Sequence, residues 1–89
     1  MLIPTTFQLA GITWKVKFRK RLGDNLGLCQ RDKATILLKQ VAEPSTIELA
    51  FTHELVHAIK FTMGDDGPHD EKEVDSFGYL LHQFLITQK

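Results

Sequence analysis

The segment His53-Glu54-Leu55-Val56-His57 sets two imidazoles and a carboxylate at a spacing suited to metal chemistry. Residues four apart stack on one face of a helix, so the rings of His53 and His57 can reach a single ion. Glu54 follows His53 directly and is rotated from it by about 100° on the 3.6-residue period. That rotation takes Glu54 off the ligand face but leaves it able to hydrogen-bond a water held on the metal. Zinc lowers the pKa of such a water toward neutrality. A carboxylate beside the water can take its proton as the oxygen attacks a polarised carbonyl. The pattern H-E-x-x-H therefore predicts His53 and His57 as metal ligands and Glu54 as a general base.

Two histidines do not complete a zinc site, and the third ligand decides its class. The continuation H-E-x-x-H-x-x-G-x-x-H fails, because Lys60 and Met63 stand at the Gly and His positions. A run of acids follows instead, in Asp70-Glu71-Lys72-Glu73-Val74-Asp75. Glu71 and Asp75 share one helical face, which Gly78 and His82 continue, whereas Glu73 lies beside Phe77, Leu80 and Phe84. A metal ligand needs polar company and a helix that can come close. Glu71 is accordingly expected as third ligand, Asp75 as acceptor for an imidazole N–H, and His82 as a candidate donor to a transition state. Periodicity alone barely separates the two acids, so Glu73 and His69 stay open as alternatives to Glu71. Tyr79 turns away from this face and is expected at the surface.

The elements that must position these groups are legible upstream and downstream. Ser45 can cap a helix, with Glu48 three residues later completing a capping box after Pro44. The helix is expected from about Thr46 to Met63, and Gly64 supplies its left-handed stop. Apolar residues surround it, which marks a central, covered helix and makes buried His and Glu costly without partners. A second helix is expected from about His69 to Ile86, with a core stripe of Val74, Phe77, Leu81, Phe84 and Leu85. The N-terminal half reads as strands. Ile12, Trp14, Val16 and Phe18 alternate with Thr13, Lys15 and Lys17, and Phe7 to Leu9 can pair with them across Ala10-Gly11. Leu28 to Gln30 and Thr35 to Lys39 complete a small sheet, expected to be antiparallel. The fold class is α+β: a small antiparallel sheet, then two helices.

Composition narrows the function classes. Eighty-nine residues make one domain, 1–89, whose small core would gain stability from a bound metal. Eleven basic and eleven acidic side chains balance, which gives no reason to expect nucleic acid or an anionic membrane surface as partner. Lys15, Lys17, Arg19, Lys20 and Arg21 read as the solvent face of a strand. Cys29 is the sole cysteine, so neither an internal disulfide nor a cysteine-rich zinc site is available, and Cys29 itself reads as a small hydrophobe. No secretory signal or membrane span is visible, and a cytoplasmic setting is the expectation.

Thr52-His53-Glu54-Leu55-Val56-His57-Ala58 followed by Glu71-Lys72-Glu73-Val74-Asp75 resembles the gluzincin metallopeptidases. It is most similar to minimal, prophage-associated members related to the ImmA/IrrE-like branch, over residues 45–85. The resemblance implies zinc held by His53, His57 and Glu71, with Glu54 as base and Asp75 supporting a ligand histidine. It also implies a peptide or protein substrate that adds as a strand to a sheet edge, for which Thr35 to Lys39 is the candidate. The chain departs from larger gluzincins in its short loop between His57 and Glu71 and in lacking a second subdomain. The expected function is zinc-dependent peptide-bond hydrolysis. The rival is a non-catalytic, zinc-stabilised binding or regulatory module, which would fill the metal's fourth position with a side chain such as His69.

Overall fold

The computed structural model describes residues 1–88. Four strands precede two helices: β1 (Thr6–Leu9), β2 (Ile12–Arg19), β3 (Gly27–Gln30), β4 (Thr35–Lys39), α1 (Pro44–Thr62) and α2 (Glu71–Ile86). The architecture is α+β. β1 and β2 form the expected hairpin, turning at Ala10 and Gly11, both with positive φ.

The sheet is mixed rather than antiparallel. Its order is β1-β2-β4-β3, with β2 and β4 parallel and β3 antiparallel to β4. The physical reason lies in β4. Four consecutive residues, Thr35 to Leu38, are buried, so both faces of this strand are covered. Such a strand is stable only in the interior of a sheet. The chain therefore runs from β2 past the Lys20–Leu26 segment to lay β3 on the outside, and returns through a 3-10 turn at Arg31–Lys33 into the central place. Thr35 to Lys39 is thus not an edge, and the edge strands are β1 and β3.

α1 packs on the sheet, where Phe51, Ala50 and Ala58 meet Trp14, Val16, Ile36 and Leu38 in one buried cluster. Phe7 bridges the layers, edge-on to Phe51 and stacked on Trp14. The alternation in β2 holds at its middle only, where Trp14 and Val16 are buried, while Ile12 and Phe18 are exposed. Lys15, Lys17 and Arg19 do face solvent.

The helix ends differ from expectation by a turn or less. α1 begins at Pro44 after Glu43, and the Ser45 hydroxyl donates to the Glu43 carboxylate instead of capping. Proline is well tolerated in a first turn, where its missing N–H has no intrahelical partner. Gly64 has the left-handed conformation expected at the stop. α2 starts at Glu71, and the Asp70 side chain caps it by accepting from the Lys72 N–H at 3.0 Å.

The buried face of α2 is narrower than predicted. Val74 and Gly78 are buried against α1, whereas Phe77 and Phe84 are 57% and 58% exposed. The stripe is rotated because Gly78 seats α2 on the α1 backbone. A Cβ at that position would lie 3.1 Å from His53 Cα and 3.2 Å from its nitrogen. A larger residue would have to push the His53 backbone aside by a few tenths of an ångström, and the close approach brings the acids of α2 to the motif of α1.

Candidate metal centre

α1 presents His53 and His57 one turn apart, their rings 5.1 Å from centroid to centroid. α2 brings the Glu71 carboxylate across both. Its Oε2 lies 3.3 Å from His53 Nε2 and its Oε1 lies 3.3 Å from His57 Nε2. One donor atom from each of the three residues falls within 4.8 Å of the others, so His53, His57 and Glu71 together could hold a metal ion. Donors about 2.0–2.2 Å from a tetrahedral ion lie about 3.3–3.6 Å apart, a spacing that each imidazole makes with its nearer Glu71 oxygen.

The chemistry of the set also fits a cation. His53 Nδ1 is 2.7 Å from Asp75 Oδ1. A carboxylate only accepts, so Nδ1 carries the hydrogen, and in the neutral ring Nε2 turns a bare lone pair toward the carboxylate of Glu71. Lone pairs converging in this way are stable when a positive charge lies between them. Asp75 thus occupies the orienting place that a ligand histidine requires.

The three contenders for third ligand separate clearly. Glu71 meets both histidines. Glu73 turns to the other side and pairs with Lys60. That pairing raises the lysine's pKa, chiefly through the direct hydrogen bond. His69 stands behind His57, Nδ1 to Nδ1 at 2.7 Å, with its side chain 2% exposed. His82 is not brought to the site. Its Nε2 contacts Glu48 Oε1 at 2.8 Å, at the start of α1. This engages it with the residue expected to complete the capping box and leaves it no part beside Glu54. Tyr79 is exposed, as expected.

Glu54 is buried at 8% exposure, packed against β3. Gly27 makes room for it, since a Cβ there would lie 2.8 Å from Glu54 Cγ. Burial, foremost, pushes its carboxyl up to about 7, with the Glu71 charge adding to the rise and His53 and the Cys29 N–H opposing it. Its Oε2 lies 4.0 Å from His53 Nε2, adjacent to the ligand set without belonging to it. Burial also lowers the pKa of His57, which favours its neutral form. The Cys29 thiol is pushed up to about 12 by burial and by Glu54, which makes it an inert apolar group.

A cavity of about 430 Å³ opens beside these groups, bounded by Leu26 and Gly27 of the β3 end, Leu49 and Ala50 of α1, and His53, Glu54 and Asp75. Glu71 and Asp75 side chains are 67% and 72% exposed, so the site is open on the α2 side. No described helix is long and apolar enough to cross a membrane. Compared with protein families, curated proteins and solved structures, the chain matches none. The reading of this site therefore rests on its own geometry.

Two features lay outside the sequence reading. The roles of Gly27 and His69 depend on contacts between separate elements. Gly27 reads in the sequence as a turn residue; it opens β3, and its role comes only from Glu54 of another element. His69 was open as a third ligand, but its contact with His57 depends on where the loop is held.

Proposed function

We propose that this chain is a zinc-dependent peptidase in which His53, His57 and Glu71 hold the metal and Glu54 is the general base. The observation that carries the reading is the place of Glu54. It is a buried carboxyl with Oε2 4.0 Å from His53 Nε2, next to three converging donors yet outside the set, where it can take a proton from a water on a metal held there. Zinc bound there would acidify a water and polarise a substrate carbonyl. The three-donor set supports a site with room for that water, as catalytic zinc sites have and closed structural sites do not.

Asp75 and Glu54 divide the protein's work. Asp75 holds the His53 ring in orientation, and Glu54 accepts a proton from the attacking water and passes it to the leaving amine. An extended peptide would add along the free edge of β3, which carries Gly27 and Cys29 against Glu54. This edge replaces Thr35 to Lys39, which lies inside the sheet. The neighbouring cavity would take one of the peptide's side chains.

The test joins metal content to cleavage. The protein should take up one zinc per chain, Glu54→Gln should keep the zinc and lose peptide cleavage by about 10²–10⁴-fold, and His57→Ala should lose both. Full activity in Glu54→Gln would remove it as base. Zinc binding without cleavage of any peptide in a broad library would instead support a zinc-stabilised regulatory module.

A further inference from the structure

We propose that His69 is a positioning residue that fixes the tautomer of His57 and so turns the bare Nε2 of His57 toward the metal. The inference rests on the metal site of the preceding section and adds a residue to it. It follows from three contacts in sequence. His69 Nε2 lies 2.8 Å from the backbone carbonyl oxygen of Asp65. A carbonyl only accepts, so His69 Nε2 carries a hydrogen and donates it. In the uncharged ring, Nδ1 of His69 is then an acceptor. His57 Nδ1 lies 2.7 Å from it, and a bond between these two nitrogens holds one hydrogen, which His57 must supply. His57 is left with its hydrogen on Nδ1 and its lone pair on Nε2, 3.3 Å from Glu71 Oε1.

The two ligand histidines thereby reach the same state by different means. Asp75 fixes His53 from α2, and a relay from the Asp65 carbonyl through His69 fixes His57 from the loop. The loop is built to hold that relay. The His69 side chain is 2% exposed, its ring lies within 18° of the plane of His57, and Phe61 covers it at 4.5 Å. Asp66 of the same loop pairs with Arg31 at 2.7 Å, and the Arg31 guanidinium lies 5.5 Å from the Phe61 ring centre. The turn that follows β3 is thus tied to the loop that carries His69.

The experiment has a spectroscopic arm and a binding arm. In metal-free, ¹⁵N-labelled wild-type protein at mildly alkaline pH, long-range ¹H–¹⁵N correlation should show His57 protonated at Nδ1 and His69 protonated at Nε2. His69→Ala should move His57 toward the Nε2-protonated form and weaken zinc binding, measured by chelator competition, by about 10–100-fold. His69→Asn places an acceptor oxygen where Nδ1 stood and should restore both the Nδ1–H form and most of the affinity. A wild-type His57 protonated at Nε2 overturns the inference. So does a folded His69→Ala variant with wild-type affinity, or His69→Asn no better than His69→Ala. Wild-type protein that shows the predicted tautomers yet binds no zinc would refute the metal site itself, and with it the purpose given to His69. Wild type that binds zinc while His57 carries its hydrogen on Nε2 would refute this inference alone.

Discussion

A carboxyl buried beside the candidate metal site should weaken the metal-free fold, and Glu54→Gln measures by how much. Glu54 is 8% exposed and its carboxyl stands at about 7 instead of 4.5, chiefly because burial disfavours its charge. The folded state thus holds the proton more tightly than the unfolded chain. Stability from this group is complete below about pH 4.5, declines as pH rises, and is gone once the pH has passed about 7. At about 1.36 kcal/mol per pH unit, the difference approaches about 3 kcal/mol. Glutamine removes the charge at every pH and keeps an oxygen that can accept from the Cys29 N–H. Its added N–H groups need partners, which offsets about 1 kcal/mol. The variant should therefore be more stable than wild type by about 1–3 kcal/mol at about pH 8, and close to it at about pH 5. For a domain of this size that corresponds to a Tm higher by roughly 4–24 °C. Melting curves in the presence of a chelator at both pH values give the answer. A bound cation favours the ionised carboxylate, so adding zinc should shrink the gap. Equal stability of the two proteins at the alkaline pH, or a difference that does not change with pH, would refute the argument that burial holds Glu54 near neutrality.

Zinc affinity should fall by at least 10-fold in Glu71→Ala and change little in Glu73→Ala, because Glu71 contacts both His53 and His57 while Glu73 engages only Lys60 on the far side. Isothermal titration of the two variants decides it, and the reverse ranking would move the third ligand to Glu73. Gly78→Ala should be destabilising despite a gain of about 1 kcal/mol in helix propensity, since overpacking costs about 1–3 kcal/mol. Its new methyl would press on the His53 backbone at 3.1–3.2 Å. Zinc binding should weaken with stability, because α2 carries Glu71 and Asp75. A Gly78→Ala protein with unchanged Tm and unchanged zinc affinity would show that the close approach of the helices does not hold the site together.

Local pattern alone determined a good part of this protein. The alternation of β2, the turn at Ala10-Gly11, the helix spanning the H-E-x-x-H segment and the grouping of Glu71 with Asp75 all follow from spacing along one element. The preference for Glu71 over Glu73 did not follow from periodicity, which barely separates them, but from the polar or small neighbours Asp75, Gly78 and His82 on its face. What failed were statements about relations between elements. The place of β4 in the sheet depended on burial of both its faces, of which the run Ile36-Leu37-Leu38 was a sign that alternation elsewhere obscured. With β4 inside, Thr35 to Lys39 cannot offer an edge to a substrate, and the edges are β1 and β3.

The rotation of α2 was decided in the same way. Sequence supplies an apolar stripe wide enough for several orientations, and the contact between Gly78 and the His53 backbone selects one, leaving Phe77 and Phe84 outside. His82 shares a face with Glu71 but is turned to Glu48, because residues eleven apart on a straight helix lie about 16 Å apart along its axis. The perturbed carboxyl of Glu54 and the contact between His57 and His69 belong wholly to the tertiary structure. Desolvation depends on what β3 and α2 cover, and a hydrogen bond between rings on a helix and a loop depends on where that loop is held. Spacing along one helix thus named His53 and His57 and a short list for the third donor, and packing of α2 on α1 chose Glu71 from it and set the charge and orientation of the group.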